Sequence, residues 1–266
     1  MAFNEPKLSG QLVYFCDAIT GNHRRQPFKS AAAPTTETLM VRNELGILKW
    51  LHIVCMVYGL GGEWGVFQTS YNVVNHRLPL EERRRHMETA YRIDILARTG
   101  IIMLLPLGLH MGHLWNLQPF GGAALWVMWL LSLAWLALCW SAFVYRETNQ
   151  GLRLTKIDES IRFVLIPLLF ISALSSLLGH GPFSGEPGTR WYAAKILVYS
   201  LMLVLGLLLR FIMREWTMLF RRLATEGSPP AVERQLEKSI AFGRKIAYCY
   251  WVGILSVAFF AAVKPF

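Results

Sequence analysis

Four of the seven histidines, His52, His110, His113 and His180, fall inside apolar runs of the chain or at their ends. An imidazole carried into lipid is costly unless it is bonded, so histidines gathered at one membrane depth point to a ligand set for haem or a metal. Bis-histidine ligation of a b-type haem asks for two imidazoles at equal depth on two helices, each presenting one nitrogen to iron. His52 and His110 are the first-choice axial pair. His113 and His180 supply an alternative pair or a second one, so one or two haems are expected. Taken singly, any of these residues is more simply explained as an interfacial histidine bonded to water and backbone. Met56, Met103 and Met111 add thioether sulfur suited to copper(I). They form no dense Met/His pattern, however, and Met is common filler in apolar helices.

Two further residues belong with the histidines as catalytic candidates. Glu63 is eleven residues after His52, close to three full turns, so the two share a helix face about 16 Å apart. A carboxyl at that depth is expected to be protonated or paired, with Arg98 or Arg210 as partner, or to be a step in a proton path. Lys195 sits about a turn inside the fifth apolar run, where snorkelling to the headgroups is the competing explanation. Ser172, Ser176 and His180 are spaced i, i+4, i+8 and predict a polar stripe on one helix. The cysteines at 16, 55, 139 and 249 show no CxxC spacing. Three of them lie in apolar runs, which argues for buried free thiols rather than disulfides or zinc.

The elements that position these residues follow from composition. Hydrophobic residues make up 54% of the chain and mean hydropathy is +0.35, which excludes an ordinary soluble domain. Six runs are long enough to cross a bilayer, at about Leu45–Thr69, Ala97–Asn116, Ala123–Tyr145, Ile161–His180, Trp191–Met213 and Ile246–Val263. The fold expected is an all-α polytopic bundle of six transmembrane helices over residues 45–266, preceded by a polar tail over 1–44 without a secretory leader. The tail's breaker-rich stretch is Ala31–Thr36, and a partner-binding role fits it.

The net charge of +10 is concentrated in three connections, which hold Arg77, Arg83–Arg85 and Arg92, then Arg146–Arg162, then Arg210–Lys245. Positive-inside asymmetry places those connections in the cytoplasm, both termini outside, and the four histidines near the outer face. That distribution points to a lipid bilayer and not to nucleic acid. Arg83–Arg85 reads as a topogenic run rather than a phosphate site.

Several helices are expected to outrun the bilayer on the basic side. Pro79 followed by Glu81 and Glu82 makes a helix start. Gly227 ends the fifth helix, and Ser228-Pro229-Pro230 opens the sixth. A basic helical hairpin around 214–245 results, serving as a solvated surface or as a site for anionic lipid or a partner. Gly59, Gly61, Gly62 and Gly65 form a small-residue face, with Gly61 and Gly65 at GxxxG spacing.

Leu48-Lys49-Trp50-Leu51-His52-Ile53, followed by glycines, resembles the first helix of HemJ-type protoporphyrinogen oxidases and CopD-type copper-resistance membrane proteins. The segment Arg83–Arg92 with Thr99-Gly100 resembles their second helix. Trp191-Tyr192-Ala193-Ala194-Lys195-Ile196-Leu197-Val198 resembles the helix that keeps an important lysine in HemJ-type proteins. The resemblance covers about half the chain and implies that His52 is a haem ligand and Lys195 a functional residue. The HemJ-type proteins are four-helix proteins, so spans three and four, with His180, are an insertion by that comparison.

The function expected is that of a haem b membrane protein of the bacterial inner membrane. It would pass electrons near the outer face, with a quinone or a periplasmic carrier as partner. HemJ-like porphyrinogen oxidation, CopD-like copper passage and a role as anchor for other membrane subunits are the alternatives.

Overall fold

The computed structural model describes residues 36–146, 148–184 and 186–265. Most of the expected tail, with Cys16 and all but the last residue of the Ala31–Thr36 stretch, lies outside them. The described residues hold six helices and no strand: α1 Thr36–Val73, α2 Leu80–Leu114, α3 Ala123–Val144, α4 Asn149–Leu177, α5 Arg190–Glu226 and α6 Pro230–Val263. Each is long and apolar enough to cross a membrane. They agree with the six runs in number and order, but not in length. The helix begins at Thr36, nine residues earlier than the apolar run, so the end of the polar stretch is helical.

Length explains the difference. The 22 residues of α3 rise about 33 Å, close to the hydrocarbon thickness. The 34 to 38 residues of α1, α2, α5 and α6 rise over about 50 Å. Their surplus is polar and extends beyond any hydrocarbon layer. Hydropathy sees only the apolar part of each helix.

The helix ends obey local chemistry. Pro79 precedes α2, with Glu81 and Glu82 in the first turn, where acidic groups favour the helix dipole. Thr148 caps α4 by accepting from the Gly151 amide at 3.2 Å. Gly227 ends α5 in the left-handed conformation at φ 74°, and Pro230 opens α6 at its first position.

Succession of six antiparallel crossings gives the bundle a histidine end and a basic end. The histidine end gathers the end of α2, the start of α5 and the end of α6, because the Lys264 ammonium lies over both Trp115 and Trp191. The basic end has its own apolar core, with Val73, Met87, Phe220, Leu223, Leu236 and Ile240 all buried. The expected hairpin is therefore packed onto α1 and α2 as well as charged outside. Arg83 departs from the topogenic reading. It is 3% exposed, donates to both carboxylate oxygens of Glu233 at 2.9 and 2.8 Å and reaches the Val73 carbonyl at 2.8 Å. Arg84 and Arg85 remain outside with partners on their own helix.

A larger core occupies the other half, around Ile102, Trp135, Leu169, Tyr192 and Leu203. The outward faces of α3 and α4 carry Trp126, Leu130, Leu131, Phe163, Val164 and Ile171, all exposed. A soluble protein rarely tolerates so continuous an apolar surface; lipid is its natural neighbour.

Glycines bring α1 against α2. A Cβ added at Gly62 would stand 2.7 Å from the Ala97 Cβ, and one at Gly100 only 2.3 Å from the Cys55 carbonyl oxygen. The face in use is Gly59, Gly62 and Gly65. Gly61 has nothing within 4 Å of an added Cβ, so the GxxxG pair is not the packing motif. Gly100→Ala is expected to cost about 1–3 kcal/mol through forced helix separation, and Gly61→Ala less than about 0.5 kcal/mol. Thermal unfolding of the two variants in detergent measures the contrast.

Candidate functional site

At the histidine end, His52 of α1 faces α2 where a side chain is missing: a Cβ on Gly108 would stand 3.5 Å from its Cε1. Its Nδ1 is buried and has no hydrogen-bond partner. Buried polar atoms are nearly always satisfied, so an orphaned one calls for an explanation such as a ligand. On α5, Lys195 is half-buried.

Lys195 belongs to a larger group. Trp115 and Trp191 meet edge to face with centroids 6.1 Å apart. Lys195 lies 5.8 Å from the Trp191 centroid, Lys264 lies 5.1 Å from Trp191 and 5.5 Å from Trp115, and Lys49 lies 6.0 Å from Trp115. Three ammonium groups from α1, α5 and the end of α6 thus surround two indole rings. Ring faces hold such cations without neutralising them, which leaves the region attractive to carboxylates.

The other histidines are placed differently. His110 accepts from the Trp129 indole N–H on Nδ1 at 3.3 Å, and its Nε2 faces the Glu44 carboxylate at 3.2 Å. Either nitrogen must release a partner before binding a metal. The His113 ring is packed on the α2–α3 loop, where a Cβ at Gly121 would lie 2.4 Å from its Cε1. His180 is exposed, beyond the end of α4 at Leu177. The helix stops too early for the Ser172–Ser176–His180 stripe. Ser176 instead accepts from the Phe183 amide at 3.0 Å and fastens the following loop to α4. Among the described residues no group of three or more His, Cys, Asp or Glu side chains is placed to hold a metal. Met111 is buried with Leu48 and Leu107, Met103 packs on that cluster, and Met56 packs on the main core.

Towards the middle of the bundle lies a second set of chemistry-bearing residues. Asp158 is fully buried. It accepts from the Trp135 indole at 2.7 Å and from Arg162 Nε at 3.4 Å, and it pairs with Arg210. Arg162 also lies over the Trp135 ring, 5.2 Å from its centroid. Glu159 joins Arg210 at 3.6 Å and pairs with Arg214. On α2, Arg98 pairs with Asp94.

Glu63 is not held by either of the arginines expected as its partner. Arg98 and Arg210 spend their charge on Asp94, Asp158 and Glu159, and Glu63 forms no ion pair with either. Its carboxyl borders two small cavities. One, of about 20 Å³, also touches Asp94, Arg98, Arg162, Arg210 and Tyr250. The other, of about 30 Å³, reaches Ser70 and Arg244. Each has room for about one water. A carboxyl without a fixed cation, beside water-sized spaces, can exchange a proton without breaking an ion pair.

Sequence reasoning named Arg98 and Arg210 but missed Asp94, Asp158, Glu159 and Arg162 as a network. The i, i+4 spacings Asp94–Arg98 and Asp158–Arg162 were available signals. Asp158 and Glu159 stand just before the fourth apolar run, so a hydropathy boundary assigns them to a loop.

Removing the central carboxylate leaves two buried guanidinium groups underneutralised. Asp158→Asn is expected to cost about 3–5 kcal/mol, and Trp135→Phe, which loses one hydrogen bond to a charged group, about 1.5–3 kcal/mol. Unfolding titrations in mixed micelles check that order. No protein-family model, no curated protein and no solved structure matches this chain.

Proposed function

We propose that this chain is a haem b protein of the bacterial inner membrane that passes electrons at the histidine end of the bundle, exchanging them with a quinone or a periplasmic carrier. The observation that carries the reading is the buried, unpartnered Nδ1 of His52, on an imidazole that faces Gly108. A haem held there supplies one-electron chemistry between ferrous and ferric iron.

In this reading His52 holds the iron. Lys49, Lys195 and Lys264 hold the carboxylates of the porphyrin, since they gather around Trp115 and Trp191. His110 serves as a second ligand only after giving up Trp129 or Glu44. As it stands it orients the α3 and α1 residues around the site. Glu63, beside its water-sized cavities, accepts and returns the protons that quinone chemistry consumes. By the positive-inside rule the histidine end faces the periplasm.

A second reading, HemJ-like porphyrinogen oxidation, is favoured by Lys49, Lys195 and Lys264 around Trp115 and Trp191, which suit the carboxylates of a porphyrinogen. Complementation of a haem-synthesis-deficient strain separates it from electron transfer alone. Copper passage and a subunit-anchor role predict a protein without haem, and metal analysis of the purified chain tells them apart.

Purified from haem-replete cells, the protein is expected to show sharp dithionite-reduced bands with iron at about one per chain. His52→Ala should abolish those bands, while His180→Ala should leave them unchanged. A colourless wild-type protein, or full haem content in the His52 variant, defeats the reading.

A further inference from the structure

The basic end contains a cavity that none of the preceding chemistry uses. It measures about 700 Å³ and is enclosed by α2, α3, α4 and α5. On α2 its wall runs from Arg84 to Arg98, fourteen residues or about 21 Å of helix, and on α5 it runs over a similar length from Arg210 to Ala224. The deep residues Asp94 and Arg210 are buried, whereas Arg84, Arg146 and Arg221 at the other extreme are exposed. The cavity is therefore a vestibule with its mouth at the basic end and its floor at the buried ionic network.

Its charge is unbalanced. Six arginines line it against two acids, Glu88 and Asp94. Arg98, Arg210 and Arg214 are matched by Asp94, Asp158 and Glu159, and Arg84 has Glu88 at 3.4 Å. Arg146 and Arg221 have no carboxylate partner among the described residues. Arg146 rests on the Phe143 ring, 4.8 Å from its centroid, and donates to the Phe143 carbonyl at 3.4 Å. Arg221 only contributes its carbonyl to Thr225. Between mouth and floor the wall is largely apolar, with Met87, Phe143, Met213 and Phe220. Guanidinium groups recognise carboxylate and phosphate through paired donors, and a volume of this size suits an organic molecule rather than a bare ion.

We infer that this vestibule binds an amphipathic anion, whose carboxylate or phosphate is held by Arg146 and Arg221 and whose apolar body lies along Met87, Phe143, Met213 and Phe220. The anion enters from the basic end, and it is either a soluble amphiphile or an acidic phospholipid. The helices around the vestibule close against one another by sequence neighbours, and α2 meets α5 over only a short stretch. That leaves the space open without breaking the bundle.

The test uses the full chain in phosphatidylcholine nanodiscs and measures dodecyl phosphate binding by calorimetry. The Arg146→Gln/Arg221→Gln double variant is expected to bind at least ten-fold more weakly than the wild type. Arg77→Gln/Arg153→Gln removes the same charge from exposed arginines outside the vestibule and should change binding by less than two-fold. Inorganic phosphate should bind far more weakly than dodecyl phosphate, because it lacks the apolar body. Equal losses in the two double variants would mean attraction to the basic surface as a whole, and would overturn the site. So would inorganic phosphate binding as tightly as the amphiphile. Adding phosphatidylglycerol to the nanodiscs identifies the source. Competition with dodecyl phosphate that the vestibule variant loses points to a lipid, and absence of competition points to a soluble amphiphile; both support the vestibule. Melting temperatures of the variants confirm that each is folded.

Discussion

Compensation of charge away from water is the constraint on which this structure depends. Asp158 has no exposed surface, and an isolated carboxylate in such a place would not stay ionised. It is tolerable because Trp135, Arg162 and Arg210 converge on it from α3, its own helix and α5. The arginines are tolerable for the same reason in reverse. Pairs of this kind contribute little net stability when intact and cost a great deal when half removed. Their effect is to specify which faces of α3, α4 and α5 meet, since few other registers satisfy every group at once. Arg83 with Glu233 acts in the same way at the basic end, joining the starts of α2 and α6 to the end of α1.

The contact between α1 and α2 is of another kind. It uses no charge and depends on absent side chains, with Gly59, Gly62 and Gly100 letting backbones approach. Without a hydrophobic driving force between helices in lipid, such close packing is the available source of attraction. The consequence reaches the histidine end, because the same two helices carry His52 and Gly108. There the imidazole of His52 lies against the backbone of Gly108, which carries no side chain.

The two ends of the bundle therefore offer different chemistry. At the histidine end, three lysines stand around two tryptophans with an imidazole nitrogen free nearby. At the basic end, arginines in excess of acids line a deep vestibule. Glu63 lies between, next to the ionic network but not part of its pairing. Intramembrane ionisable groups are expensive and tend to mark pathways or sites, and here they form a nearly continuous series from the Arg221 mouth to Glu63.

Much of the architecture was legible in the residues themselves. Six apolar runs dictate six helices, because lipid leaves the backbone no partner but itself. Pro79, Gly227 and Pro230 mark the ends of helices because each restricts or frees the backbone in a way that needs no neighbours. The sites were legible only in part. Equal depth along two helices placed His52 and His110 together, but depth says nothing of rotation, and His110 turns to Trp129 and Glu44. Spacing promised a GxxxG face at Gly61, while the packing uses Gly62 and Gly100. Charge pairing across helices, which leaves Glu63 without Arg98 or Arg210, and the space among α2, α3, α4 and α5 both depend on how neighbouring helices are turned. Only the assembled bundle settles that, because the energies that decide it arise between side chains far apart in the chain.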